Sequence, residues 1–154
     1  MKIITHNEKE FTKIAQTFVK KLWPNKKVAT LVALSGELGA GKTFFARQCA
    51  RALGVKERII SPTFVIMKKY KIQTPPNPPL RRGGQYKFFF HLDAYRLKSG
   101  KELLHLGWKE IISNPENLIF LEWPENVSKT LPRYTKKIFV KHVSRHPVHR
   151  LLML

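Results

Sequence analysis

The sequence predicts an α/β fold, a P-loop NTPase-like domain on a mixed, mostly parallel sheet with helices packed on it. Three observations predict it. Short apolar runs at 28–34 and 117–122 have the pattern of strands buried on both faces. Capped or amphipathic helical segments alternate with such runs. A glycine-rich octapeptide, GELGAGKT at 36–43, joins the first run to a helix.

The elements follow in order. Asn7 with Glu10 predicts an N-cap and its capping-box partner. Phe11, Ile14, Ala15, Phe18, Val19 and Leu22 then recur at helical spacing, and Trp-Pro-Asn at 23–25 ends that helix. A second helix spans 43–53, closed by Gly54. Residues 63–70 and 86–92 read as strands flanking TPPNPPLRRGGQ (74–85), which holds four of the ten prolines. Missing amide donors exclude a central strand or helix there, so a flexible surface excursion within one domain (1–154) is expected. A polyproline segment for a protein partner is the alternative. Ser99 with Glu102 opens a short helix to Leu106, where Gly107 interrupts it. Residues 117–122 form a buried strand ending in an acid. A closing hairpin of 136–143 and 149–154, with Pro147 between, makes the sheet mixed.

Composition narrows the class. The 154 residues suit one domain, and 43% hydrophobic content excludes a disordered chain. No apolar run approaches the roughly 20 residues of a membrane span. The amino terminus lacks a signal-peptide core. Cys49 alone can form neither an intrachain disulfide nor a multi-cysteine zinc site. The expectation is a small cytoplasmic domain with no membrane partner. Its 29 Lys+Arg against 10 Asp+Glu give a net charge of +19, a field that suits nucleotides, RNA or an acidic protein surface.

The octapeptide fits G-x-x-x-x-G-K-[ST] between a buried strand and a helix, as phosphate binding requires. Gly36, Gly39 and Gly41 let the backbone turn its amides inward around phosphate oxygens, and the helix start adds partial positive charge. The nucleotide-binding positions are therefore Gly36, Glu37, Leu38, Gly39, Ala40, Gly41, Lys42 and Thr43, with Phe44 next to them. Lys42 would reach the β- and γ-phosphates, and Thr43 would place its hydroxyl on Mg²⁺.

Two acids at strand ends compete for the remaining chemistry, Glu122 after Leu-Ile-Phe-Leu and Asp93 after Phe-His-Leu. One holds Mg²⁺ and the other orients the attacking water; spacing alone does not assign them. His91 reads as support behind the site, not as a catalytic base. His105, His142, His146 and His149 lack metal-site spacing.

GELGAGKT, SPTF (61–64), HLDAYR (91–96) and LEWPE (121–125), in this order, resemble the TsaE (YjeE) family, and KELLHLGWKEII resembles its stretch after the H-x-D-x-Y-R motif. The likeness runs from about Asn7 to Leu154. It implies a mixed sheet with helices on both sides and slow ATP hydrolysis. It further implies work with TsaD-like and TsaB-like subunits, the transferase pair that attaches threonylcarbamoyl to adenosine 37 of tRNAs reading codons that begin with A. By that resemblance Thr43 and Glu122 are magnesium ligands, and Asp93 stands near the γ-phosphate and water. Thr63 lies in a switch-like segment and Trp123 beside the nucleotide. The region of Asn7 and Glu8 lies near the base, and Arg150 can approach the nucleotide. The long excursion, the +19 charge and Phe44, in place of a small polar residue, depart from the family pattern.

Two other readings differ in what they need. A small-molecule kinase needs an arginine-bearing lid, for which only Arg81 and Arg82 of the excursion are at hand. An RNA-binding adaptor using nucleotide only structurally would show tight, salt-dependent tRNA binding without partners.

Overall fold

The computed structural model describes residues 1–73, 85–143 and 146–153. The Pro/Gly-rich stretch, with Arg81 and Arg82, lies outside the described residues except for Gln85.

Strands β1 (Lys2–Thr5), β2 (Thr30–Ser35), β3 (Met67–Lys71), β4 (Phe88–Asp93), β5 (Asn117–Glu122), β6 (Lys136–Val143) and β7 (His146–Met153) form one sheet. Its order is β1-β7-β6-β2-β5-β4-β3. The inner strands β6, β2, β5 and β4 run parallel. Antiparallel pairings add β3 at one edge, and β7 with β1 at the other. The predicted mixed sheet with a carboxy-terminal hairpin is what forms.

Strand alternation separates two cores. On β5, Leu118 and Phe120 face one side, while Ile119 and Leu121 face the other. Helices α1 (Glu8–Lys20) and α2 (Lys42–Ala52) cover the first face, where Phe11, Ala15 and Val19 meet Phe45 and Cys49. The Cys49 thiol donates to the Ala15 carbonyl at 3.3 Å, and burial pushes its pKa well above the ordinary value. Helices α3 (Gly100–His105) and α4 (Trp108–Ser113), with a 3₁₀ segment (Pro124–Thr130), cover the second face around buried Trp108. Helices thus lie on both sides of the sheet.

Four boundaries differ from expectation. Strand β1 went unread because four residues at a sheet edge carry too little pattern. Helix α4 continues past the Gly107 break, whose positive φ of 75° turns the chain into a new helix. Strand β7 begins at His146, so Pro147 lies in the strand and not in the turn. Strand β1 pairs only from Arg150 onward, so this first part of β7 is an edge, where a missing amide is tolerated. Strand β3 starts at Met67, not at 63. Residues 62–66 form a turn in which Ile66 donates to the Pro62 carbonyl at 2.6 Å and takes a φ of 64°.

Candidate functional site

Parallel strands deliver their carboxyl ends to one place. Asp93 and Glu122 are register partners at the ends of β4 and β5, and Leu34 of β2 is the other neighbour of Glu122. The loop from β2 to α2 closes over them.

That loop is built by close approach. A Cβ on Gly36 would stand 2.0 Å from the Val140 carbonyl oxygen of β6, at a φ of 139°. Gly39 and Gly41 also take positive φ, at 75° and 105°. Gly41 is the N-cap of α2, so no side chain covers that helix start. Lys42 folds back into the loop and donates to the carbonyls of Gly36 (2.6 Å) and Glu37 (2.8 Å). Its ammonium lies 3.9 Å from the Trp123 ring centroid. Burial pushes its pKa down, and the Glu122, Asp93 and Glu125 carboxylates oppose that shift.

The two acids have different neighbours. Thr43 donates its hydroxyl to Glu122 Oε1 and Oε2, at 2.8 and 3.0 Å. His91 Nε2 lies 2.7 Å from Glu122 Oε1, and the ring is fully buried. Asp93 accepts from the Thr63 hydroxyl at 2.5 Å and from the Tyr95 amide at 2.9 Å. Because Thr63 gives its proton to Asp93, Ser61 donates to Thr63 at 2.7 Å. The turn that displaced the start of β3 is what brings Ser61 and Thr63 to the acid.

A cleft of about 310 Å³ results, lined by Leu38, Gly39, Gly41, Lys42, Thr43, Thr63, Asp93, Glu122 and Trp123. Ser61 and Tyr95 also line it. Neither is among the residues expected from the sequence, although Ser61 stands in SPTF and Tyr95 in HLDAYR. Trp123 takes a φ of 57°, donates its amide to the Leu34 carbonyl, and packs its ring 5.1 Å from Tyr95. Such a backbone in a bulky residue is held only where surroundings impose it.

Gly39 and Gly41 also wall a second pocket of about 210 Å³, with Asn7, Glu8, Phe11, Phe44 and Arg150. Phe44 fills the face of that pocket beside Phe11, with ring centroids 5.6 Å apart. Arg150 Nε donates to the Ala40 carbonyl at 2.9 Å, tying β7 to the loop. Of the loop residues, Gly36, Glu37 and Ala40 line neither pocket and contribute carbonyls instead. Among the described residues no group of three or more His, Cys, Asp or Glu is arranged to hold a metal ion. No helix among them is long and apolar enough to cross a membrane.

A family model described as "Threonylcarbamoyl adenosine biosynthesis protein TsaE" matches residues 5–150. The chain is similar to the tRNA threonylcarbamoyladenosine biosynthesis protein TsaE of Rickettsia felis, with 37% identity over 130 residues, 84% of this chain and 66% of that protein. The corresponding protein of Rickettsia bellii is 38% identical over 130 residues, 84% of this chain and 78% of its own length. The crystal structure of Bacillus subtilis YdiB superposes with a TM-score of 0.72 at 25% identity, covering 99% of this chain and 82% of that one. With the loop, the two acids and the sheet order in place, these matches place the chain in the TsaE family of proteins that serve threonylcarbamoyladenosine formation in tRNA.

Proposed function

We propose that this chain binds ATP with Mg²⁺ across the two pockets, hydrolyses it slowly, and thereby supports a TsaD-like and TsaB-like transferase pair in the cytoplasm. The observation that carries the reading is the loop itself. Its ammonium rests on the loop's own carbonyls, beside an uncovered helix start and a hydroxyl–carboxylate pair. A triphosphate fits this cradle. Lys42 exchanges two carbonyls for phosphate oxygens, and the amides at the start of α2 face the same anion. Phe11 and Phe44 offer an apolar pocket for the base, with Glu8 and Arg150 at its side.

Thr43 and Glu122 form a hard oxygen pair suited to Mg²⁺, an ion that takes few protein ligands and keeps waters. When bound, Mg²⁺ supplies charge neutralisation at the β- and γ-phosphate oxygens. His91 orients the Glu122 carboxylate from behind. Asp93, held by Thr63 and the Tyr95 amide, has a carboxylate aimed into the cleft to orient a water. The Ser61–Thr63–Asp93 chain gives the 62–66 turn a direct link to that carboxylate.

The test is reconstitution with the transferase pair, tRNA and the small substrates. Lys42→Ala should lower threonylcarbamoyladenosine formation by roughly tenfold or more, the scale expected when a main phosphate contact is lost. Wild-type formation by that variant would remove nucleotide chemistry from the protein's role.

A further inference from the structure

We propose that the outer face of α1 and the turn behind it dock an RNA, with lysines on its phosphates and Trp23 beneath an unpaired base. From residue 11 to residue 36 the chain contains no Asp or Glu, yet it carries Lys13, Lys20, Lys21, Lys26 and Lys27. All five are exposed. Among the described residues none of them forms an ion pair. Four lie within eight residues, a density of positive charge that suits a polyanion.

Trp23 sits in the middle of this cluster and is 54% exposed. Its neighbours Leu22 and Pro24 are buried, so the backbone is anchored while the indole remains at the surface. The turn behind it is fixed by Asn25, whose Oδ1 accepts the Lys27 amide at 2.8 Å. A fixed aromatic face between unpaired lysines is the arrangement by which proteins hold unstacked nucleotides. An acidic amphipathic peptide would instead use the neighbouring groove of Ile3, Ile14, Phe18 and Leu22, which Lys13 and Lys21 line but Lys20, Trp23, Lys26 and Lys27 do not. The RNA face is remote from the nucleotide. Asn7 and Glu8 stand at the opposite end of α1, a helix of 13 residues and so about 20 Å long.

The experiment uses the full chain without partners or nucleotide, and a fluorescein-labelled RNA hairpin with a seven-nucleotide loop. Binding is followed by anisotropy across a salt series. The Lys20→Ala/Lys21→Ala/Lys26→Ala/Lys27→Ala protein should flatten the slope of log K against log salt by about 3, from four lost phosphate contacts. Trp23→Ala should weaken hairpin binding about tenfold, Trp23→Phe should restore most of it, and neither should change binding to a blunt RNA duplex. Unchanged melting temperature shows that each variant is folded. An unaltered salt slope in the quadruple variant overturns the proposal. So does equal weakening of hairpin and duplex by Trp23→Ala, or wild-type binding to an acidic amphipathic peptide with none to the hairpin. Because no nucleotide is present, these outcomes are independent of the ATPase reading.

Discussion

At the scale of single residues, Lys42 and Gly36 show what the loop demands. Burial holds the Lys42 ammonium below its ordinary pKa. Between the lowered folded value and the ordinary one, the folded protein carries fewer protons than the unfolded chain, so this group's contribution to stability rises with pH there. Phosphate binding needs the charged form. ATP affinity should therefore fall as pH climbs through that window, while Lys42→Met should bind weakly and without that dependence. Affinities measured between neutral pH and pH 10 decide it; the same pH profile in Lys42→Met would contradict the assignment. Gly36 is a different case, because an added Cβ meets backbone and not a movable side chain. Gly36→Ala should cost about 2 kcal/mol or more in urea unfolding, from overpacking plus left-handed strain. At Gly39 the nearest atom is His142 Nε2 at 3.7 Å, so Gly39→Ala should cost less, about 1 kcal/mol, mainly strain.

At the scale of elements, α1 is the best case of local information matching the fold. Asn7 Oδ1 accepts the Glu10 amide at 2.9 Å, and Glu10 Oε2 accepts the His6 amide at 2.9 Å. That reciprocal cap follows from side chains three residues apart, which is why the sequence shows it. Asn7→Ala should lower stability by about 1 kcal/mol in chemical denaturation, and no change would mean that tertiary packing alone sets the helix start. Strands β2, β4 and β5 were legible for a related reason, since burial on both faces leaves continuous apolar runs. The 62–66 turn was not. Phe64, Val65 and Ile66 look like strand residues, but Phe64 is 83% exposed and Ile66 is left-handed. Long-range contact with Asp93 overrides their local preference, and that contact is part of the site. The partners of the two acids were illegible from spacing for the same reason: only the fold shows that Thr43 meets Glu122 and Thr63 meets Asp93.

For the whole molecule, the parallel centre of the sheet fixes where the candidate site lies. The acids meet at the carboxyl ends of β4 and β5, and the phosphate loop leaves the adjacent strand. The lysines of the acid-free stretch, Lys13, Lys20, Lys21, Lys26 and Lys27, belong to α1 and the turn that follows it. The proposed nucleotide site and the proposed RNA face should therefore be separable by mutation. Calorimetric titration of ATP into the folded protein, with Mg²⁺ and then with a chelator, probes the proposed nucleotide site without intermediaries. Mg²⁺ should strengthen binding, Lys42→Ala should lose nearly all of it, and Glu122→Gln should lose the Mg²⁺ effect alone. No heat from ATP with Mg²⁺, even with the transferase pair supplied, would contradict that site.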